Sequence, residues 1–327
     1  MKQKVRSTPG RVLMKFLCTV LGLLLVVMLG GSIYANHLLS QINYVNQKEP
    51  GGFLEFLKSG GSGQEEGSEG LMGGKGSGVV NIMLIGQDRR ENEGRTRSDT
   101  MILCTFNKKT KTLTMTSFLR DLYVAIPGYG SNRLNSAYAF GGMDLLDKTI
   151  SQNFQVHVDG NVEVDFSQFA QIVDALGGVE MELRQDEAEF INYETGSEYS
   201  AGTWVLSGDQ ALAYSRIRKL DADGDFSRTN RQRKVLSAIL DSYRSASLPQ
   251  MLSMTTQILP MITTDMSNMQ ILGHAMELFP MLSGLEIVSS RIPAAGTFSN
   301  QNIDGMAVLV PDLEANRQVL QQCMAVE

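Results

Sequence analysis

The sequence predicts an α/β protein: a single layered α-β-α sandwich domain over residues 79–327, preceded by one transmembrane helix. From Val79 onward, short apolar runs typical of strands alternate with segments of helical spacing, which is the pattern of layered α/β domains. Before the domain lies a run of nineteen uncharged residues, Phe16–Tyr34. Hydrophobic residues make up 43% of the 327 residues, which is enough apolar material for a core and excludes wholesale disorder.

The run Phe16–Tyr34 predicts a membrane anchor. As a helix it would span about 28 Å, close to the ~30 Å core of a bilayer. The first fifteen residues carry five basic side chains and no acid, so the positive-inside rule puts residues 1–15 in the cytoplasm and the domain outside the cell membrane. We therefore predict a single-pass protein with residues 16–35 as its transmembrane helix. The alternatives are a cleaved signal peptide, with Ile33–Ala35 as the cleavage site, and a buried helix of a soluble protein.

Residues 36–78 are predicted to be an extracytoplasmic spacer. Nine of the twenty residues 59–78 are glycine and most others are Ser, Glu or Gln, so this stretch is predicted to be a flexible tether. The apolar piece Phe53–Leu57 before it is either a short helix near the membrane or a marginal helix without a role.

Six strands are predicted in the domain. Val79–Ile85 is a short apolar run that ends at Gly86, as buried strands commonly do. Thr100–Phe106 and Lys111–Phe118 are joined by Asn107–Thr110, a hairpin-type loop. The other predicted strands are Val162–Val164, Val179–Leu183 and Leu285–Ile292.

Helices are predicted where apolar residues recur at helical spacing. Phe166–Leu176 is amphipathic and ends at two glycines, which favour a helix C-terminus. Ser207–Tyr214 begins with a residue type that caps helices. The polar stretch Asp186–Gly202 is predicted to be a surface loop. The other predicted helices are Ser136–Phe154, Phe226–Tyr243, Leu248–Pro280 with an interruption at Pro260, and Asp312–Met324.

Composition excludes several classes of protein. The three cysteines have no metal-like spacing and the three histidines are far apart, which disfavours a disulfide scaffold, a zinc site and a histidine-centred triad. The net charge of −6 becomes −11 once the five basic residues at the N-terminus are set aside. An acidic domain argues against nucleic acid as a partner.

Four charged segments adjoin predicted core elements. Gly86–Asp88 follows the first strand, where α/β sheets bind ligands. Arg95–Thr100 leads into the second strand, and Leu119–Asp121 follows the third. The fourth segment is Tyr214–Arg218, together with the basic start of the helix after it.

The fourth segment predicts a cradle of arginines for dense negative charge. If the chain is extended there, Arg216 and Arg218 point the same way. On the following helix Arg228, Arg231 and Gln232 share a face, and Arg120 could close the cradle from another strand end. Guanidinium groups bind phosphate oxygens bidentately. The alternative is that these arginines pair on a solvated surface with Asp221, Asp223 and Asp225.

Two carboxylates near this cradle predict a magnesium site. Mg²⁺ typically takes one or two carboxylates plus substrate phosphate oxygens, and Asp88 and Asp99 could supply the carboxylates. The alternatives are a turn residue for Asp88 and a salt bridge to Arg97 for Asp99. No Walker A loop is present, so the sequence does not support nucleotide binding.

These segments resemble the LytR-CpsA-Psr (LCP) family of bacterial cell-wall enzymes. The similarity lies in five ordered blocks over residues 80–245 and in the C-terminal stretch VLVPDLEANRQVL. The blocks begin NIMLIGQDRR, NRLNSAYAFGG, VEVDFSQFAQ, LSGDQALAYSRIRK and DFSRTNRQRKVL. A single N-terminal anchor also fits this family. One departure is Phe226–Ser227, where many relatives have Phe-Gly.

The resemblance implies a fold, a reaction and a lipid. The fold would surround a central mixed β-sheet. The enzyme would transfer a glycopolymer with one phosphate from undecaprenyl pyrophosphate to a peptidoglycan hydroxyl, and would hold the polyprenyl chain in an apolar tunnel. Arg120, which the resemblance also makes catalytic, would bind the pyrophosphate. The other implied site residues are Arg216 and Arg218, then Arg97, Arg228 and Gln232, with Asp88 and Asp99 for Mg²⁺.

Asp99 has a second implied role as a general base. A carboxylate among arginines is a weak base, which favours the metal role. The rival functions are a non-catalytic module that binds lipid-linked polymer or peptidoglycan, a pyrophosphate hydrolase and a transcriptional regulator. An acidic domain outside the membrane disfavours the regulator.

Overall fold

The computed structural model describes residues 34–45, 71–72, 77–88 and 96–324. Most of the predicted transmembrane segment 16–35, and all of Phe53–Leu57, lie outside these ranges. Within the described ranges, no helix combines the length and the apolar character needed to cross a membrane. The anchor therefore stays a prediction.

A seven-stranded sheet forms the centre of the fold. Its strand order is β1-β10-β7-β2-β3-β4-β11, and both parallel and antiparallel neighbours occur. The prediction of an α/β fold around a central mixed sheet is confirmed. The strands of this sheet are β1 (Asn43–Tyr44), β2 (Val79–Gln87), β3 (Ser98–Asn107), β4 (Thr112–Phe118), β7 (Gly160–Asp165), β10 (Thr263–Thr264) and β11 (Glu286–Ile292).

Three two-stranded hairpins, eight longer helices, two short 3₁₀ helices and the helical residues 34–39 complete the described part of the chain. The hairpins are β5 (Tyr123–Ile126) with β6 (Gly130–Arg133), β8 (Val179–Leu183) with β9 (Gly202–Leu206), and β12 (Phe298–Ile303) with β13 (Met306–Pro311). The helices are α1 (Leu134–Phe154), α2 (Phe166–Ala175), α3 (Gln185–Thr195), α4 (Gly208–Arg216), α5 (Asp225–Ser245), α6 (Leu248–Ile258), α7 (Asn268–Leu278) and α8 (Leu313–Met324).

Helices cover both faces of the sheet because its central strands are apolar on both sides. Along β2, Met83 and Ile85 belong to a buried cluster that includes residues of α1 and α8. Ile82 and Leu84 alternate with them and belong to a second cluster that includes residues of α5 and α7. A run that is buried on both faces reads as continuously apolar, which explains why this strand was predictable.

The predicted surface loop Asp186–Gly202 is wrong. Its first half is helix α3, and β9 begins at its last residue. The helix buries Ala188 and Ile191 and ends at Gly196, which has φ 70°. Phe190 packs against the same apolar cluster, while most of the other positions are polar or charged, so a small apolar stripe anchors a helix whose composition is typical of a loop.

The extended geometry predicted for Arg216–Arg218 is also wrong. Helix α4 continues through Arg216, and Ile217 caps it. Ile217 is fully buried in a third apolar cluster together with Tyr214 and Val235. The burial of Ile217 fixes where the chain leaves the helix. The rule that alternate residues of a strand point the same way therefore does not apply to Arg216 and Arg218.

Two short pieces of the predicted spacer join the domain. Asn43 and Tyr44 form the edge strand β1, which pairs in parallel with β10. Met72 bridges Val156, donating to the Gln155 carbonyl at 2.8 Å and accepting from the His157 amide at 2.9 Å. The residues that make these contacts follow no apolar periodicity in the sequence, so only the tertiary structure shows the contacts.

Candidate functional site

A cavity of about 510 Å³ lies between one face of the sheet and the helices α2, α4 and α5. Strands β2, β3 and β7 supply its floor, and the helices supply its walls. Charged side chains and apolar side chains both line it. The charged and amide lining residues discussed below are Asp88, Asp99, Arg120, Arg216, Arg218, Arg228 and Gln232.

Strand direction brings the first polar residues together. Strands β2 and β4 both run antiparallel to β3, so the ends of β2 and β4 and the start of β3 meet at one edge of the sheet. Asp88 follows β2, Asp99 is the second residue of β3, and Arg120 follows β4. We call this edge the polar edge. Residues that are 32 positions apart in the sequence therefore line one cavity.

Asp99 is the centre of the charged group at this edge. Its Oδ1 accepts a hydrogen bond from Arg120 Nη1 at 2.6 Å. Its Oδ2 lies 3.9 Å from Arg218 Nη2, and its backbone carbonyl accepts from Arg228 Nη2 at 3.1 Å. Three arginines thus converge on one aspartate. The salt bridge from Asp99 to Arg97, considered as an alternative, is replaced by the one to Arg120.

Arg228 is the most deeply buried of these arginines, with 2% of its surface exposed. Its guanidinium lies 2.9 Å from Asp225 Oδ1. Burial lowers the pKa of Arg228, and the positive charges of Arg218 and Arg120 add to that effect. For Arg120, burial also acts to lower the pKa, but the hydrogen bond and the charge of Asp99 outweigh it and the net direction is upward. An anion at this edge would relieve the crowding of positive charge.

Helix α4 positions Arg216 and Arg218. Its first residue, Gly208, lies so close to α2 that a Cβ atom would be 2.1 Å from the Ala170 carbonyl oxygen. The Gly208 amide also donates to Asp174 Oδ1 at 2.7 Å, so α2 fixes the start of α4. The last residue of α4, Arg216, stacks over the Phe166 ring, with 5.0 Å between the guanidinium carbon and the ring centroid.

Not every predicted residue reaches the cavity. Arg97 is exposed and is not part of the cavity lining, although the chain places it two residues before Asp99. Arg231 points into a different region, where its Nε donates to Glu187 Oε1 at 2.9 Å and its Nη2 donates to Asp221. Arg231 therefore pairs with acidic side chains, Asp221 among them, but in a buried position rather than on the solvated surface of the alternative, whereas Arg228 and Gln232 face the cavity. The prediction that Arg228, Arg231 and Gln232 share one helix face toward the cavity is confirmed only for Arg228 and Gln232.

Sequence reasoning missed the apolar lining. On α5, Leu236 and Ile239 follow Arg228 and Gln232 at helical spacing, so one face changes from polar to apolar toward its C-terminus. The floor changes in the same direction, because Leu84 and Ile102 lie deeper in their strands than Asp88 and Asp99. The other apolar lining residues include Val162, Val164, Phe169, Ile172, Leu212 and Ile262. The signal was the 228–232–236–239 periodicity of α5.

The two candidate metal ligands fit an ion that shares its coordination with a ligand. Asp88 is exposed at the cavity, and Asp99 Oδ2 lies 3.9 Å from Arg218 Nη2, a longer contact than the one that Oδ1 makes with Arg120. Among the described residues, no group of three or more His, Cys, Asp or Glu side chains could hold a metal ion. With Asp88 and Asp99 as the two candidate carboxylates among the described residues, Mg²⁺ there would need phosphate oxygens and water to complete its shell.

Residues 58–324 match the LytR_cpsA_psr family. The chain belongs to this family. The resemblance read from the sequence is thereby confirmed, and so is the prediction of an enzyme of the LCP transferase type.

Two relatives illustrate the similarity. The chain is 38% identical over 223 residues to the polyisoprenyl-teichoic acid–peptidoglycan teichoic acid transferase TagT of Bacillus subtilis strain 168, covering 66% of this chain and 67% of TagT. It is 36% identical over 234 residues to TagU of Bacillus anthracis, which has the same functional description, covering 71% and 73%.

Solved structures have the same fold. A crystal structure of B. subtilis TagT superposes with a TM-score of 0.62 at 29% identity, covering 87% of this LCP chain and all of that one. A structure of TagT with bound octaprenyl pyrophosphate lipid superposes with a TM-score of 0.60 at 30% identity, covering 80% of this chain and 98% of that one.

Proposed function

We propose that this LCP protein is a membrane-anchored phosphotransferase. It moves a glycopolymer from a polyprenyl pyrophosphate, with undecaprenyl as the natural chain, to a sugar hydroxyl of peptidoglycan outside the cell membrane. The observation that carries the proposal is the convergence of Arg120, Arg218 and Arg228 on Asp99 at the mouth of an apolar cavity. The names and bound lipid of the TagT relatives support it.

The arginines of the polar edge bind the pyrophosphate in this proposal. Arg120, Arg216 and Arg218 offer guanidinium groups to the phosphate oxygens, and Arg228 and Gln232 reach the same space from α5. The Gln232 side chain lines the cavity, and its buried Oε1 atom has no hydrogen-bond partner among the described residues; the Nε2 group of this amide would be the donor to a phosphate oxygen. Arg97 is exposed nearby and would reach a bound polymer rather than the buried phosphate.

The apolar extension of the cavity suits a polyprenyl chain. Aliphatic and aromatic side chains from the sheet, α2 and α5 surround it, and we assign to this space the apolar tunnel that the family resemblance implies. Placing the pyrophosphate at the polar edge directs the chain along the face that carries Leu236 and Ile239. Burial of prenyl groups then contributes roughly 25 cal/mol per Å² of apolar surface removed from water.

The chemistry is a single displacement at phosphorus. The acceptor hydroxyl oxygen bonds to the phosphorus that carries the polymer, the bond from that phosphorus to the bridging oxygen breaks, polyprenyl monophosphate leaves, and the hydroxyl proton passes to solvent. The arginines stabilise the negative charge that develops on the leaving phosphate. Mg²⁺ held by Asp88 and Asp99 would supply further charge neutralisation on the same oxygens.

A transfer assay tests this function. Labelled glycopolymer on a short, water-soluble polyprenyl pyrophosphate is incubated with peptidoglycan oligomers and the full-length protein, and both transferred polymer and free phosphorylated polymer are measured. Transfer supports the proposal. Release of polymer to water alone would indicate a hydrolase, and tight binding without either product would indicate a binding module.

Arg218→Lys keeps the positive charge but loses the planar fork that binds two phosphate oxygens. We expect transfer to fall about tenfold or more, while the melting temperature stays that of the wild type, because Arg218 is exposed and its ion pair with Asp99 is long, at 3.9 Å. Arg244→Lys, at an arginine outside the cavity that pairs with Asp241, is the matched control. Wild-type transfer by Arg218→Lys would identify Arg218 as a surface charge.

The proposed location predicts a protease pattern. Protease added to intact protoplasts should digest residues 79–327 and spare a short N-terminal fragment, because the basic residues before the apolar run keep the N-terminus in the cytoplasm. The products are identified by antibodies against each end of the chain. Protection of the whole chain would contradict this orientation.

A further inference from the structure

We propose that an exposed face of α6 is a membrane-docking surface that rests on the outer leaflet beside the apolar end of the cavity. We call it the docking face and define it by Leu248 and Leu252 of α6 together with Tyr34. The identity of the lipid that uses it rests on the proposed function. The choice of the membrane as the partner also rests on the anchor of the proposed function, and the docking is argued from four features.

The first feature is the exposure of an apolar helix. No residue of α6 is fully buried, although part of the helix packs against α2. Leu248 is 59% exposed and Leu252 is 43% exposed. These residues are four apart, so they lie on one side of the helix. Contiguous exposed apolar residues on a folded domain mark interaction surfaces more than single exposed ones do.

The second feature is the absence of charge. The twenty residues Ser245–Thr264, which include all of α6, contain no Asp, Glu, Lys, Arg or His. A helix that faces water normally carries charged residues on its exposed side. This helix can therefore enter an apolar surface without moving a charge out of water.

The third feature selects the membrane as the partner. Tyr34 ends the uncharged run Phe16–Tyr34, and its hydroxyl lies 3.5 Å from the Thr256 hydroxyl. Thr256 is four residues after Leu252 and belongs to the same side of α6. If the run crosses the bilayer, Tyr34 lies at its outer interface, where tyrosines are enriched. That places α6 at the same depth as the headgroups.

The fourth feature connects this surface to the cavity. Helix α6 packs against α2, and so does the short 3₁₀ helix that follows it, Leu259–Met261. From α2, Phe169 and Ile172 line the cavity, and Ile262 lines it directly after the 3₁₀ helix. A polyprenyl chain that leaves the apolar end of the cavity is thus beside the docking face. Docking there lets the long chain stay in apolar surroundings between bilayer and enzyme.

Spin-label accessibility tests the docking. Leu248→Cys and Leu252→Cys are made separately in the full chain with Cys18 and Cys323 replaced by serine, labelled, and reconstituted into phosphatidylglycerol–phosphatidylethanolamine vesicles without polyprenyl lipid. We expect high collision rates with oxygen and low rates with an aqueous nickel chelate at both positions. Tyr193→Cys, at a position 86% exposed on α3, is the control and should collide freely with the chelate.

Three outcomes would overturn the proposal. Free collision with the chelate at positions 248 and 252 would mean that the face is in water. Low collision with both reagents would mean that another segment of the chain covers it. Spin–spin broadening that weakens on dilution of the protein in lipid would mean that a second copy covers it.

A substitution separates docking from catalysis. Leu252→Lys should lower transfer from a long-chain donor embedded in vesicles by about tenfold, because a charge then opposes seating in the bilayer, and should leave transfer from a short soluble donor unchanged. An equal loss with both donors would show a structural defect and overturn the docking role. If wild type transfers from neither donor, the proposed function fails, while the accessibility result still decides the docking.

Discussion

Asp99→Ala should abolish most transfer while pyrophosphate binding is retained or becomes tighter. The substitution removes the carboxylate that accepts from Arg120 at 2.6 Å and lies 3.9 Å from Arg218, so these arginines become free for the phosphate and a repulsion is lost. The same change removes a proposed ligand of Mg²⁺, and transfer should fall by at least about tenfold. Asp88→Ala should behave in the same way, because Asp88 is the second proposed ligand.

The measurements are donor affinity, melting temperature and transfer, each with and without chelator. Asp121→Ala is the matched control. Asp121 also contacts Arg120, with 3.7 Å between Oδ2 and Nε, and contacts Arg133 at 3.3 Å, but it does not line the cavity. Its loss should change transfer by less than about threefold, as for a partly exposed ion pair.

Two results would contradict the metal assignment. Wild-type transfer that is indifferent to chelator, combined with active Asp88→Ala and Asp99→Ala variants, would remove Mg²⁺ from the proposal. A lower melting temperature for Asp99→Ala with parallel losses of binding and transfer would make Asp99 a structural residue that orders Arg120.

Arg231→Met should destabilise the fold strongly without acting on the chemistry. Arg231 has a side chain 4% exposed and donates to Glu187, whose side chain is 5% exposed. The variant leaves the Glu187 charge buried without this partner, and breaking a buried pair in this way costs about 3–5 kcal/mol. Denaturant unfolding measures the loss, and transfer per folded molecule should stay at the wild-type value because Arg231 does not line the cavity.

Two further variants make this test specific. Arg184→Met removes a half-exposed arginine that pairs with Asp186 and Asp221, and should cost less than about 1 kcal/mol. The double variant Arg231→Met, Glu187→Met should recover part of the loss, because the isolated buried charge is gone. If Arg231→Met were no more destabilising than Arg184→Met, the buried pair would not stabilise the fold.

The loss of stability in Arg231→Met should also depend on pH. The hydrogen bond from Arg231 lowers the pKa of Asp221 below its ordinary value of 3.8. A carboxyl group with a lowered folded-state pKa contributes stability above its unfolded value and loses that contribution as pH falls through the folded value. The difference in the free energy of unfolding between the wild type and Arg231→Met should therefore be largest near neutral pH and should decrease below about pH 4.

The candidate site was largely predictable as a set of segments but not as a set of contacts. Asp88, Asp99 and Arg120 follow or begin apolar strands, and strand ends are where such sheets place ligands. Their positions in the sequence therefore supported the prediction of two carboxylates near an arginine cradle that Arg120 could close. That Asp99 pairs with Arg120 rather than with Arg97 depends on the antiparallel register of β3 and β4, which local spacing does not encode.

Helix periodicity predicted only part of the site. It placed Arg228, Arg231 and Gln232 together, yet Arg231 turns to Glu187 and Asp221 because these carboxylates lie on α3 and on the α4–α5 connection. Helix α3 itself was missed, since only Ala188 and Ile191 mark its buried side strongly. An ion pair between distant elements cannot be predicted from the sequence of one element alone.

The sequence by itself determined the family, the apolar strands of the central sheet and the residue types of a phosphate site, because these follow from local patterns of charge and hydropathy. The tertiary structure alone decided which arginines face the cavity, that residues 43–44 extend the sheet, and that α6 lies beside Tyr34 with its apolar side exposed. Such relations join segments up to 222 residues apart, and they arise from packing of whole faces against each other rather than from any short stretch of chain.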